Sequence, residues 1–166
     1  MVKFDIERIN AESPYRVKCV KGENEFRFTT DYGIDYNVCF LEDDFLQCAK
    51  SYQLIISNIS NKKSPRDSKL RETITIIIYN FFDNINPALF YFCDTTDSKQ
   101  RQRARLFQYW FNSATRVKEY ICITAVLPDE DNVDNFTAII VRADNPLLKE
   151  IAAEYTETIQ LLRQKP

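Results

Sequence analysis

The chain has 166 residues, 45% apolar and 13% aromatic, which is enough to bury a core and too apolar for a disordered segment. It contains no histidine and two glycines, Gly22 and Gly33. That excludes Ser-His-Asp and Cys-His catalysis, HExxH metal sites, histidine pH switching and glycine-rich phosphate loops. The formal charge of −2 is unevenly spread: residues 1–60 hold 7 basic and 10 acidic groups, residues 61–118 hold 11 and 5, and residues 119–166 hold 4 and 9. A basic middle between acidic ends either attracts an anionic partner or is neutralised within the fold.

The first elements read as an antiparallel meander with one wet face. Tyr15 to Cys19 alternates apolar residues with cations, as a half-buried strand does. Lys21-Gly22-Glu23-Asn24 is a turn, Phe26 and Phe28 resume the alternation, and Asp31-Tyr32-Gly33 turns again. Ile34, Tyr36, Val38 and Phe40 then face one side, and Tyr52 to Ile59 offers a fourth strand after a link read as locally helical. Asn61 to Asp67 is a polar, proline-containing loop internal to the domain.

The run from Lys69 to Ile85 admits two readings. Thr73 to Ile78 has strand composition, yet Leu70, Ile74, Ile77, Phe81 and Ile85 recur at helical spacing, with Ile78 and Phe82 widening the face. Asp67 or Ser68 would cap a helix, and the length favours a largely buried one. Asn86-Pro87 stops it, and Ala88 to Cys93 is expected as a central strand. Further strands are read at Val117 to Val126 and Phe136 to Arg142, joined by the acidic loop Pro128 to Asn135. That loop lacks the glycine and terminal glutamate of an EF-hand. Asn145-Pro146 caps a last helix with proline at its first position, lined by Leu148, Ile151, Tyr155 and Leu162.

The stretch Leu89 to Asn112 gathers most of the special residues into a strand, a turn and a helix. With Asp97 as N-cap and Gln100 three residues on, the helix has a capping box. Ala104, Leu106, Phe107, Trp110 and Phe111 then form its packed arc, and Arg101 and Arg105 stand side by side outside it. Arg103 falls inside the arc and requires a carboxylate, for which Asp94 is nearest along the chain. Asp94, Asp97, Arg103 and Trp110 are therefore expected to fasten the corner. Arg101, Arg105, Ser98 and Thr96 are candidates for holding an anion or a partner, aided by the helix N-terminus. A divalent metal on Asp94 and Asp97 is a third reading, resting on a weak pattern.

Five cysteines, Cys19, Cys39, Cys48, Cys93 and Cys122, form no CxxC pair and lie in apolar runs. They are expected as buried free thiols in a reducing compartment, with no structural zinc. Cys93 beside Asp94 is a poor nucleophile. The N-terminus has no secretory core and no apolar run reaches the ~20 residues of a membrane span, so the expected location is cytoplasmic.

The run Tyr91-Phe92-Cys93-Asp94-Thr95-Thr96-Asp97, followed by Arg101, Arg105-Leu106-Phe107 and Trp110-Phe111, resembles a family of small bacterial proteins with no assigned activity. Thr30-Asp31-Tyr32-Gly33-Ile34-Asp35-Tyr36 fits the same pattern. The resemblance implies a grouping across most of the chain and no mechanism.

The expectation is one α+β domain, with a mostly antiparallel sheet of about six or seven strands and three main helices. No catalytic set or cofactor is recognised. The leading functional reading is a cytoplasmic bacterial binding or regulatory protein that contacts another macromolecule, a protein before a nucleic acid, with self-association left open. The alternatives are nucleic-acid binding through the basic middle, against which a sequence pI near 5.3 stands, and metal-assisted phosphate chemistry at Asp94 and Asp97.

Overall fold

The computed structural model of the chain describes residues 3–20, 22, 24–93 and 100–164, without the side chains of Cys93, Gln100 and Arg103. Its elements are α1 (Ile6–Glu12), β1 (Lys18–Val20), β2 (Glu25–Thr29), β3 (Asp35–Asp43), β4 (Ser51–Asn58), α2 (Ser68–Asn84), β5 (Ala88–Cys93), α3 (Gln100–Ser113), β6 (Tyr120–Pro128), β7 (Asp134–Arg142) and α4 (Leu148–Arg163). The seven strands make one mostly antiparallel sheet in the order β1-β2-β3-β4-β5-β7-β6. This is the expected α+β class, with β5 an interior strand. The chain divides into two compact units, Met1–Leu41 with Leu54–Asn86, and Glu42–Gln53 with Pro87–Pro166.

In the first unit the meander keeps the expected alternation. Phe26 and Phe28 are buried opposite Val38 and Tyr36, and the residues between them face outward. Gly33 takes φ +72°, the left-handed conformation that suits glycine, in a turn closed by Thr30 N–H to the Ile34 carbonyl at 2.9 Å. The first strand is shorter than Tyr15 to Cys19 suggests. Asn10 accepts from Val17 N–H at 2.7 Å and donates to its carbonyl at 3.0 Å, so a side chain takes the place of the ladder there. Asn10 belongs to α1, a helix that the sequence reading missed. Asp5 caps it by accepting from Arg8 N–H, and it buries Ile9 completely.

The ambiguous run is helical. Asp67 accepts from the N–H groups of Lys69 and Leu70, at 3.0 and 3.3 Å, and Leu70, Ile74, Ile77, Phe81 and Phe82 are buried. Thr73 and Thr75 donate their hydroxyls to the carbonyls four residues back, at 2.7 and 2.8 Å, which accommodates these β-branched residues within a helix. Phe81 stacks on Phe40 with ring centroids 4.5 Å apart, and Phe4 packs against Phe26, Phe40 and Phe81. Length and face thus outweigh strand propensity.

In the second unit β5, β7 and β6 present two faces. Phe90, Ile139 and Ile123 lie across from one another and pack with Ile151, Tyr155 and Ile159 of α4. The opposite face carries Tyr91, Ala138 and Thr124, and Tyr91 stacks on Phe107 of α3 with centroids 4.3 Å apart. α4 begins two residues later than Pro146. Asn145 spends its side chain on Leu147 N–H at 2.8 Å, closing a turn ahead of the helix. Ile159 is buried on its inner face while Leu162 is half-buried. The link expected to be locally helical is irregular, because Glu154 of α4 accepts from both Gln47 and Cys48 N–H at 2.8 to 3.0 Å. A 3-10 turn, Val117–Glu119, occupies the start of the strand expected from Val117. No helix among the described residues is long and apolar enough to cross a membrane.

Candidate functional site

α3 lies over β5 and β7 and leaves part of the β6–β7 face open. A cleft of about 590 Å³ occupies that place. Its floor is Thr124 and Val126 of β6 with Phe136 and Ala138 of β7, which the register sets on one face. Tyr91 and Phe107 close the inner end as a stacked pair. Arg101, Ala104, Arg105 and Gln108 of α3 form the wall, and Arg163 stands at the sheet edge.

Arg101 and Arg105 reach the cleft because the helix period carries Ala104 and Phe107 toward the sheet and leaves i and i+4 neighbours on its flank. Both arginines are exposed. Arg101 lies 3.7 Å from Asp134, a long and solvated pair of the kind that contributes about 0–1 kcal/mol. That contact is easily exchanged for a ligand carboxylate or phosphate. Among the described residues Arg105 has no carboxylate partner. Arg163 donates Nε to the Val126 carbonyl at 2.9 Å, which anchors the guanidinium at the sheet edge. Among the described residues, three arginines against one aspartate over an apolar floor make the cleft a cation-lined slot.

The other expected site residues fall differently. Asp94, Thr96, Asp97 and Ser98 lie outside the described residues, as does the Arg103 side chain, so the proposed Asp94–Arg103 fastening and the capping box fall there as well. Trp110 is half-buried on α3. Leu106, placed in the packed arc by the sequence reading, is 46% exposed, since Phe107 alone of that arc is fully buried. Arg163 and Asp134 were missed. Arg163 lies four residues beyond Ile159, the last buried position of α4, and nothing local signals that it reaches the sheet edge.

Burial pushes Cys122 up to about 11, and burial together with the Glu154 carboxylate raises Cys48. Burial and the nearby Glu25 likewise raise Cys39. The four described cysteines are free, as expected, but Cys19 and Cys48 are exposed where burial was expected. Cys48 turns outward because the irregular link, not a helix or strand, sets its direction.

The basic loop also divides from this site. Lys62, Lys63, Arg66, Lys69 and Arg71 belong to the first unit, where Lys69 pairs with Asp31 at 2.8 Å and lies over the Tyr15 ring.

No curated protein and no solved structure matches the chain. Residues 66–157 match a family of unknown function. The match runs from the start of α2 into α4 and takes in Arg101, Arg105, Asp134 and the cleft floor, whereas Arg163 lies beyond it. Since it spans more than half of the sequence, the chain belongs to DUF6169, a family of unknown function.

Proposed function

We propose that this is a cytoplasmic bacterial binding or regulatory protein that contacts another macromolecule through the cleft of its second unit, holding an anionic segment of that partner. One observation carries the reading: Arg101, Arg105 and Arg163 surround an apolar floor, with Asp134 the sole carboxylate in the lining among the described residues. Guanidinium groups pair with carboxylates and phosphates through two parallel N–H donors, and low dielectric walls strengthen that attraction. The free thiols support a reducing compartment.

Fluorescence anisotropy with labelled polyglutamate and with a single-stranded oligonucleotide, across a salt series, tests the reading. Binding that weakens with salt and is lost in Arg101→Ala/Arg105→Ala supports it. Absence of binding to either probe at low salt, or binding that the double substitution leaves untouched, overturns it. Polyglutamate favoured over the oligonucleotide identifies a protein partner; the reverse preference identifies a nucleic acid.

A further inference from the structure

β6 ends the sheet, so among the described residues no strand lies beside one side of its backbone. The ladder fixes which groups face that open side. Asp129 N–H donates to the Val133 carbonyl at 2.9 Å, and Ala143 N–H donates to the Glu119 carbonyl at 2.8 Å. Odd-numbered residues at both ends of β6 therefore bond toward β7, and by alternation Cys122, Thr124 and Val126 turn their N–H and C=O groups outward. The Val126 carbonyl agrees, because it is the one that Arg163 reaches from outside.

Arg163 covers the Val126 carbonyl, and the rest of the edge is unguarded among the described residues. Natural edge strands carry charged side chains, bulges or internal prolines that block pairing. Tyr120 to Pro128 has no charged residue, its proline is the last position, and its register with β7 runs unbroken through nine pairs. Ile121 is 39% exposed and Thr124 is exposed. A strand laid along β6 would send alternate side chains over the cleft floor, toward Arg101, Arg105 and Arg163.

We propose that the ligand is an extended peptide with acidic side chains at alternate positions, which adds as a further strand along Cys122 to Val126, taking the Val126 carbonyl from Arg163, while those carboxylates meet the cleft arginines. This rests on the anion-binding reading above and names the partner's form. Main-chain bonds to β6 supply affinity, and the arginines select the acidic face. A second copy of this chain fits less well. Pairing β6 with its copy about a two-fold axis normal to the sheet sets both sets of arginines on one face of the same seam.

The test uses the whole protein and a labelled peptide of alternating valine and glutamate. Salt-sensitive binding is expected, and glutamine in place of glutamate should weaken it at least about tenfold, as should Arg101→Glu/Arg105→Glu. Peptides N-methylated on every second amide separate strand addition from simple charge pairing. One methylated set, facing β6, should abolish binding, and the other, facing solvent, should leave it unchanged. Equal binding of both sets overturns strand addition, as does sedimentation showing that β6 pairs with its own copy. If polyglutamate or an oligonucleotide still binds through Arg101 and Arg105 in that event, the anion-binding reading survives alone. If no anionic probe binds, both fail.

Discussion

Asp67 ties the start of α2 to Tyr15, in the segment ahead of β1, through one carboxylate, and replacing it should cost more than an ordinary helix cap. Oδ1 accepts from Lys69 and Leu70 N–H at the start of α2, and Oδ2 accepts from the Tyr15 hydroxyl at 2.6 Å. Tyr15 is 5% exposed, and its oxygen already accepts Asp31 N–H at 3.2 Å, so its hydrogen has no other acceptor close by. Asp67→Ala removes the cap, worth about 1 kcal/mol. It also strands a buried hydroxyl, which costs about 1–3 kcal/mol. The sum is about 3 kcal/mol, a large share of the roughly 5–15 kcal/mol that holds a domain together. Urea unfolding followed by circular dichroism reads the loss. Tyr15→Phe removes the same bond from the other end, so the double variant should fall short of additivity by about 1–2 kcal/mol. Asp67→Asn, which keeps a capping oxygen, should lie between wild type and Asp67→Ala. A cost below about 0.5 kcal/mol for Asp67→Ala, or strict additivity with Tyr15→Phe, refutes the reasoning.

Burial, followed by the hydrogen bond to Asp67, raises the Tyr15 phenol from 10.0 to about 12. The fold therefore favours the neutral phenol: its contribution is complete below pH 10 and is lost as pH rises through about 12, and urea midpoints that decline across that window more steeply in wild type than in Tyr15→Phe confirm the sign. At Glu154 burial works to raise the carboxyl, but the N–H groups of Gln47 and Cys48 outweigh it and hold the group below its ordinary range. Its contribution is present above the ordinary carboxylate range and fades as pH falls, so Glu154→Gln should cost about 1 kcal/mol near neutrality and progressively less in acid. Tyr155 is 1% exposed, and its hydroxyl faces Thr137 without a well-formed hydrogen bond. Tyr155→Phe should therefore leave the thermal midpoint unchanged or raise it slightly, whereas a clear drop would mean that the hydroxyl is bonded.

Periodicity made most of the fold legible. The meander and α2 follow from which apolar residues recur at two or at three to four, and the structure keeps those faces; on α3 Phe107 is buried as expected while Leu106 is exposed. The failures have local causes. α1 is one short turn-rich segment with a single buried residue, Ile9, too little for a pattern, though Asp5 was a usable capping signal. The late start of β1 and of α4 came from side chains, Asn10 and Asn145, that satisfy backbone groups in place of a ladder or a first helical turn. The cleft was half legible. Arg101 and Arg105 emerge from helical phase alone, but the open edge of β6 and the arrival of Arg163 there depend on strand order, which separates residues 37 apart in the chain from residues in contact.

The central claim is that an anionic chain occupies the cleft between α3 and β6. Backbone amide spectra of the isotopically labelled protein, recorded as the valine–glutamate peptide is added, test it at the level of single residues. The account predicts that Cys122, Thr124 and Val126 shift and gain protection from hydrogen exchange, with Arg101 and Arg105 moving in step and the first unit unperturbed. Shifts confined to the first unit, or none at peptide concentrations far above the protein's, would contradict it.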